Sequence, residues 1–182
     1  MTAQDRFIDR IRIGMAGSNE LQIVAGVLDD ASQRLLEMGI EQWPLPFPAD
    51  RVLFPGSGAT AYLAWDGAVA AGTFTLQRRD AVFWPEAVEA VGGPEAWGSD
   101  GTRPVYVHRF ATRTGYRGLG ARMLGEAESI AREWGANLMR LDCVSSDAKI
   151  RAYYEGFGYE FRGDIQPAHL TFPAARYEKR LG

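Results

Sequence analysis

"RTGYRGLGARML", residues Arg113–Leu124, puts three glycines and two arginines into its first eight positions and then takes up a helical pattern. A turn that opens a helix leaves backbone N–H groups unpaired at the helix start. Those donors and the positive end of the helix dipole favour a phosphate. Gly115, Gly118 and Gly120 let the backbone approach a ligand closely. Arg113 and Arg117 add charge and forked hydrogen bonds. Residue types exclude two familiar phosphate loops. A P-loop needs Lys-Ser or Lys-Thr after its second glycine, whereas Leu119-Gly120-Ala121 follows Gly118. A dinucleotide fingerprint needs a third glycine where Met123 stands. A nucleotide-dependent enzyme is thus a poor reading. Taken alone, the turn reads equally well as a plain strand–helix corner.

The elements around the turn give it a setting. "PVYVHRFAT" alternates as a strand, with Tyr106, His108 and Phe110 on one side and Val107, Arg109 and Ala111 on the other. The turn leads into a helix over Leu119–Trp134, with a buried stripe of Met123, Ala127, Ile130, Ala131 and Trp134. Arg122/Glu126 and Glu128/Arg132 are expected as exposed i,i+4 pairs on that helix. "NLMRLDCV" reads as a strand, "SSDAKIRAYYEGFGY" as a capped short helix and "ARYEKRL" as a closing strand. Upstream, "RFIDRIRIG" reads as a strand. A helical stripe follows at Leu21, Val24, Ala25, Leu28, Ala31 and Leu35, and Gly39 stops it. Three prolines in "QWPLPFPAD" make residues 42–58 an irregular loop with one short turn. "TAYLAWDGAVAAGTFTL" reads as a hairpin turning at Asp66-Gly67, and the Trp- and Gly-rich stretch after it as an excursion with a short helix. This order indicates an α/β or α+β domain with a mixed sheet.

The totals bound the function. A length of 182 residues suits a single domain over 1–182. Hydrophobic residues at 46% and charged residues at 24% allow a real core. A net charge of −3 gives no nucleic-acid footprint. The single cysteine, Cys143, rules out an intrachain disulfide and makes a cytoplasmic setting the default. His108 and His169 lie far apart and no Cys/His cluster has metal-ligand spacing, so no metal is expected. No apolar run approaches the roughly 20 residues needed to span a bilayer, so no membrane role is expected.

Val105–Tyr159 resembles the GNAT superfamily of acetyl-CoA-dependent N-acetyltransferases. That family's pyrophosphate loop reads Arg/Gln-x-x-Gly-x-Gly/Ala and opens a helix. "GYRGLGARML" matches at Gly118, Leu119 and Gly120, with Met123 and Leu124 in the apolar places that follow. The family's later segment reads Asn-x-x-Ala/Leu-x-x-x-Tyr-x-x-x-Gly-Phe. "DAKIRAYYEGFGY" matches at Ile150, Tyr154 and Gly158, with Tyr159 in the Phe place. Two motifs in this order are more specific than either alone. Gly115 stands where Arg or Gln is usual, so Arg113 or Arg117 would supply the charge. Asp147 replaces the usual Asn, which still caps a helix but sets a negative charge near a phosphate.

The resemblance implies a GNAT-like mixed, mostly antiparallel central sheet flanked by helices, whose parallel central strands, Val105–Thr112 and Leu138–Val144, splay apart. It implies acetyl-CoA as co-substrate, with the pantetheine arm on Phe110, Ala111 and Thr112 and the pyrophosphate on Tyr116–Ala121. It implies that Tyr154 protonates the leaving thiolate, for which a phenol of pKa about 10 is suited. The acceptor would be an amine of a small molecule or a protein. A lysine-like amine is unprotonated only about four times in ten thousand at pH 7, so a base would help. His108, which ordinarily titrates near neutrality, is the first choice, with Tyr106 and Asp142 behind it. A core role for His108 is as strong a reading. Trp43, Trp84 and Trp97 read either as core or as lining of an acceptor pocket, with core or interface expected for at least two, and Cys143 reads as an inert buried thiol. The alternative is a non-catalytic CoA-binding or interaction protein on the same fold. Oligomeric state is not legible, and a homodimer is only the family's habit.

Overall fold

The computed structural model describes residues 10–53, 58–85, 101–168 and 170–182. Its elements are β1 (Arg12–Met15), α1 (Leu21–Glu37), β2 (Thr60–Asp66), β3 (Val69–Gln77), β4 (Pro104–Thr112), α2 (Leu119–Glu133), β5 (Leu138–Val144), α3 (Ala148–Gly156), β6 (Glu160–Ile165) and β7 (Ala174–Arg180). The strand order is β1-β2-β3-β4-β5-β7-β6. β4 and β5 run parallel, while β1–β2, β2–β3, β5–β7 and β6–β7 are antiparallel. The mixed, mostly antiparallel sheet with a parallel central pair is the one the resemblance implied.

The chain divides into two compact units. One takes the residues up to Leu76 with Arg109–Ala127, the other Gln77–His108 with Glu128–Gly182. β4 contributes its first half to the second unit and its second half to the first.

In the first unit, α1 buries Val24, Ala25, Val27, Leu28 and Ala31 against Ala61, Leu63, Ala70 and Ala111. Gly39 ends that segment in the left-handed region, at φ +76°. The hairpin turns at Gly67 between Asp66 and Val69, as the Asp-Gly pair predicts. Gly72 is required by close approach: a Cβ there would meet Met123 Sδ at 2.5 Å and the Ala111 carbonyl at 3.1 Å. The loop after residue 42 is irregular, with one short 3₁₀ turn at Ala49–Arg51. Trp43 packs partly buried on this core. Arg122 is half-buried rather than exposed, and its Nη2 donates to the Ile11 carbonyl at 2.7 Å. Arg109 departs from the plain alternation expected of β4. It sits at φ +49°, a conformation L side chains rarely adopt, and is buried. Its Nη2 donates to the Arg51 carbonyl at 2.6 Å and its guanidinium lies over the Phe47 ring.

In the second unit, the parallel pairing runs only from Pro104↔Leu138 to Val107↔Leu141, so the register closes just before His108 and Asp142. β5 pairs along its whole length with β7. The edge strand β6 was not anticipated; a bulge between Phe161 and Asp164 interrupts its alternation. Glu128 is buried rather than exposed, since Lys179 Nζ reaches it at 2.8 Å and the Tyr159 hydroxyl donates to it at 3.2 Å. Trp84 is core, with the Arg140 and Arg176 guanidinium groups near 4.5 and 4.9 Å from its ring centre. Trp97, His169 and the short helix expected in the Trp- and Gly-rich excursion fall largely on residues 86–100 and 169, outside the described residues. No helix among the described residues is long and apolar enough to cross a membrane.

Candidate functional site

The glycine turn belongs to the first unit, and helix α1 fixes its entry. The Arg113 N–H donates to the Ala71 carbonyl at 2.8 Å, and its Nε to the Ala70 carbonyl at 2.9 Å. The Thr114 N–H donates to Asp30 Oδ2 at 3.2 Å. Arg34 donates to Thr114 Oγ1 at 3.1 Å and to the Thr112 carbonyl at 2.5 Å, and it also pairs with Asp30. Asp30 and Arg34, one helical turn apart, therefore hold the residues on either side of Arg113. Gly115 and Gly118 follow in left-handed conformations, at φ +88° and +85°. The Leu119 N–H then donates to the Tyr116 carbonyl at 3.2 Å and α2 begins. No heavy atom lies within 4 Å of where a Cβ would stand on Gly115. Arg117 and Gly118 are exposed and Tyr116 half-buried. Arg113 is committed to β3, so Arg117 is the turn's outward arginine. Exposed backbone, left-handed glycines and a helix start suit an anionic pyrophosphate group.

The other sequence-predicted groups lie in the second unit, around β5. His108 bridges two carboxylates: Nε2 is 3.1 Å from Asp80 Oδ2 and Nδ1 is 3.4 Å from Asp142 Oδ1. Asp80 is held in turn by the N–H groups of Val82 and Phe83, each 3.0 Å from its Oδ1. The Phe83 ring packs near the imidazole, 5.8 Å between centres. Burial works against charge on His108, but hydrogen bonds and charge from Asp142 and Asp80 outweigh it and raise the pKa to about 9. Burial alone would raise Asp80, yet its bond to His108 wins and lowers it. By residue type the three could hold a cation. The imidazolium, with one nitrogen on each carboxylate, supplies that positive charge itself.

Tyr154 is buried in α3 with its ring near those of Tyr153, Tyr159 and Tyr177, at 5.4, 6.0 and 6.2 Å. Burial, with nearby Cys143, Tyr153 and Asp142, pushes its pKa well above the ordinary phenol value, so it remains a donor. Asp142 thus pairs with His108 and also acts on Tyr154. Asp147 caps α3, its Oδ1 accepting the Lys149 and Ile150 N–H groups at 3.0 and 3.1 Å. Tyr106, the lesser base choice, is tied instead to Arg140, which donates to its hydroxyl at 3.1 Å. Asp80, Asp30 and Arg34 were not singled out from sequence. The i,i+4 spacing of Asp30 and Arg34 was a readable signal. Nothing in the spacing links Asp80 to His108.

This fold, a mixed sheet with a glycine turn after β4 and a buried tyrosine on the helix after β5, is that of the GNAT acetyltransferases. Residues 28–159 match the family model of the acetyltransferase (GNAT) family. The chain belongs to that family. Over 78 residues it is 40% identical to the uncharacterized N-acetyltransferase YesJ of Bacillus subtilis (strain 168), a match spanning 41% of this chain and 43% of that protein. A GNAT-family acetyltransferase from Listeria monocytogenes 4b F2365 shares the fold at TM-score 0.68 and 18% identity, over 94% of this chain and 95% of that one. FeeM, an N-acyl amino acid synthase from uncultured soil microbes, does so at 0.69 and 14%, over 94% and 91%.

Proposed function

We propose that the chain transfers the acetyl group of acetyl-CoA to a primary amine of a small molecule or protein, by direct attack in a ternary complex. The observation that carries this reading is the turn at Gly115–Gly118, held open between α1 and α2 at the place of the family's pyrophosphate motif. In this reading the pyrophosphate rests on Tyr116, Arg117, Gly118, Leu119, Gly120 and Ala121, with Arg113 and Gly115 shaping the turn. The backbone of Phe110, Ala111 and Thr112 pairs with the pantetheine arm. Acetyl-CoA supplies an activated acyl thioester. Tyr154, kept protonated, gives the leaving sulfur its proton. His108 takes the amine's proton, from a neutral fraction of about one in a hundred at pH 7, given its pKa of about 9. Asp147 is turned onto its own helix by its capping bonds, which supports tolerance of a nearby phosphate.

We also read residues 1–182 as one functional domain, cytoplasmic and without a resident metal. The family match runs continuously through segments of both compact units, which supports that reading. FeeM's name adds amino acids to the acceptor screen and acyl chains other than acetyl to the donor screen. A CoA-binding protein without turnover is the second reading, favoured by the predominantly protonated state of His108 at neutral pH.

A thermal melt tests cofactor binding first. Acetyl-CoA at about 100 times its dissociation constant should add about 2.7 kcal/mol, raising Tm by roughly 5 to 10 °C, with ATP inert. No rise would sink the acetyl-CoA assignment. Turnover with an amine panel then separates the two readings. Tyr154→Phe should lower kcat about ten-fold or more while leaving acetyl-CoA affinity almost unchanged. Unchanged turnover would remove Tyr154 from the mechanism.

A further inference from the structure

Arg34 brings a cation to the glycine turn from outside it, and both belong to the first unit. Its Nη1 donates to Thr114 Oγ1 at 3.1 Å and its Nη2 to the Thr112 carbonyl at 2.5 Å. The Arg113 N–H points at the Ala71 carbonyl of β3. A planar trans peptide sets its carbonyl opposite its N–H, so the Thr112 carbonyl points away from β3. Arg34 Nη2 therefore lies along the edge of β4 that β3 leaves open, where an extended arm can still pair. The Arg34 side chain is 34% exposed, so a ligand can reach it. Its Nε has no partner among the described residues. Charge points the same way. Asp30 pairs with Arg34, and Arg113 Nη1 stands 3.9 Å from the other oxygen of the same carboxylate. One carboxylate thus serves two guanidinium groups, while Glu37, the next acid on α1, is exposed and faces Gln33. Burial, and after it the charge of Arg113, lowers the Arg34 pKa, although Glu37 works the other way. An anion beside the pair relieves the repulsion between its two cations.

We propose that Arg34 is a cofactor-binding residue whose guanidinium bonds a pyrophosphate oxygen. The assignment rests on the acetyl-CoA reading above. The turn carries Gly115 where the related loops carry Arg or Gln, and Arg113 is turned to β3. Arg34 then supplies the cation in space rather than in sequence. Its bonds to Thr112 and Thr114 fix it beside Gly115, and Asp30 holds it there without neutralising Arg113 as well. A guanidinium suits the task because its forked donors can keep the turn and take a phosphate oxygen together.

The test titrates CoA and dephospho-CoA into the unsubstituted chain, Arg34→Gln and Arg34→Lys, with a melt of each. Dephospho-CoA keeps the pyrophosphate and lacks the ribose phosphate. Arg34→Gln keeps a side-chain donor for Asp30 and has no charge. It should bind both ligands about ten-fold or more weakly, the weight of one charge-assisted hydrogen bond. Arg34→Lys keeps the charge and should bind within about three-fold of the unsubstituted chain. Unchanged affinity of Arg34→Gln overturns the assignment. A loss confined to CoA overturns it too, because the partner would then be the ribose phosphate. Arg34→Lys as weak as Arg34→Gln also overturns it, since Arg34 would then only hold the turn in shape. If Arg34→Gln does not fold, the double variant Asp30→Asn/Arg34→Gln, which leaves no unpaired carboxylate, takes its place with the same expectations. If the unsubstituted chain binds neither ligand, the cofactor reading falls and this assignment falls with it. If Gly118→Val loses CoA while Arg34→Gln keeps it, only this assignment falls.

Discussion

Gly118→Val is expected to abolish measurable acetyl-CoA binding in a protein that still folds. Gly118 sits at φ +85° in the turn that opens α2. Valine, branched at Cβ, is a genuine outlier in that region. The strain of about 1–3 kcal/mol falls within the 5–15 kcal/mol stability of an ordinary domain. The turn would relieve it by moving, because Gly118 is exposed. A moved turn no longer aims its backbone N–H groups at a pyrophosphate, and the branched side chain fills the approach. A loss of about 100-fold or more in affinity corresponds to about 3 kcal/mol, the order of two charge-assisted hydrogen bonds. Calorimetric titration beside a circular dichroism melt checks both halves. A folded variant with the unsubstituted affinity would refute the pyrophosphate assignment.

His108→Ala is expected to destabilise the protein by about 3–5 kcal/mol, because it leaves Asp80 and Asp142 without the cation between them. The same pairing makes stability pH-dependent in the unsubstituted chain. The folded pKa of about 9 lies above the unfolded value of about 6.5. The stabilisation is therefore fully present below about pH 6.5 and is lost as pH rises through about 9. It amounts to about 3 kcal/mol for this shift. Asp80, whose folded pKa is lowered, works in the other direction. Its share is present above about pH 3.9 and is lost as pH falls below that. Turnover should follow the neutral imidazole and climb towards pH 9, rather than change between 6 and 7 as an ordinary histidine would dictate. Denaturant unfolding at pH 6, 8 and 10 measures the stability loss, and a pH–rate profile measures the second effect. Flat stability across that range would mean that His108 is not held as an imidazolium. A rate limb near 9 that survives His108→Ala would make another group the base.

The parts legible from sequence were those governed by neighbours along the chain. Asp147 reads as a helix cap because the bonds it makes reach only two and three residues ahead. Gly39, Gly67 and Gly118 read as turns because their conformations are local. The run from β4 through the turn, α2, β5 and α3 was readable for the same reason. What stayed hidden depends on residues distant in sequence. Glu128 lies on a helical face that periodicity assigns to solvent, yet Lys179 on β7 and Tyr159 cover it. His108 looked like a neutral-range base until Asp80 and Asp142 were placed on its two nitrogens. Arg109 followed the alternation of β4 in type, and only its backbone angle exposed the kink. The hold of Asp30 and Arg34 on the glycine turn joins α1 to Thr112 and Thr114, a pairing no local rule states.

The buried state of Cys143 has a practical consequence for assaying this protein. It is the only thiol in the chain, it is 5% exposed, and burial pushes its pKa up to about 12. At pH 8 about one in ten thousand such thiols is ionised, and the thiolate is what reacts with aromatic disulfide reagents. A free CoA thiol, with an ordinary value near 8.5, reacts promptly. Colour in a turnover mixture would therefore count released CoA without a protein background. Slow colour from the protein alone would time the opening of β5, making Cys143 a native clock for unfolding.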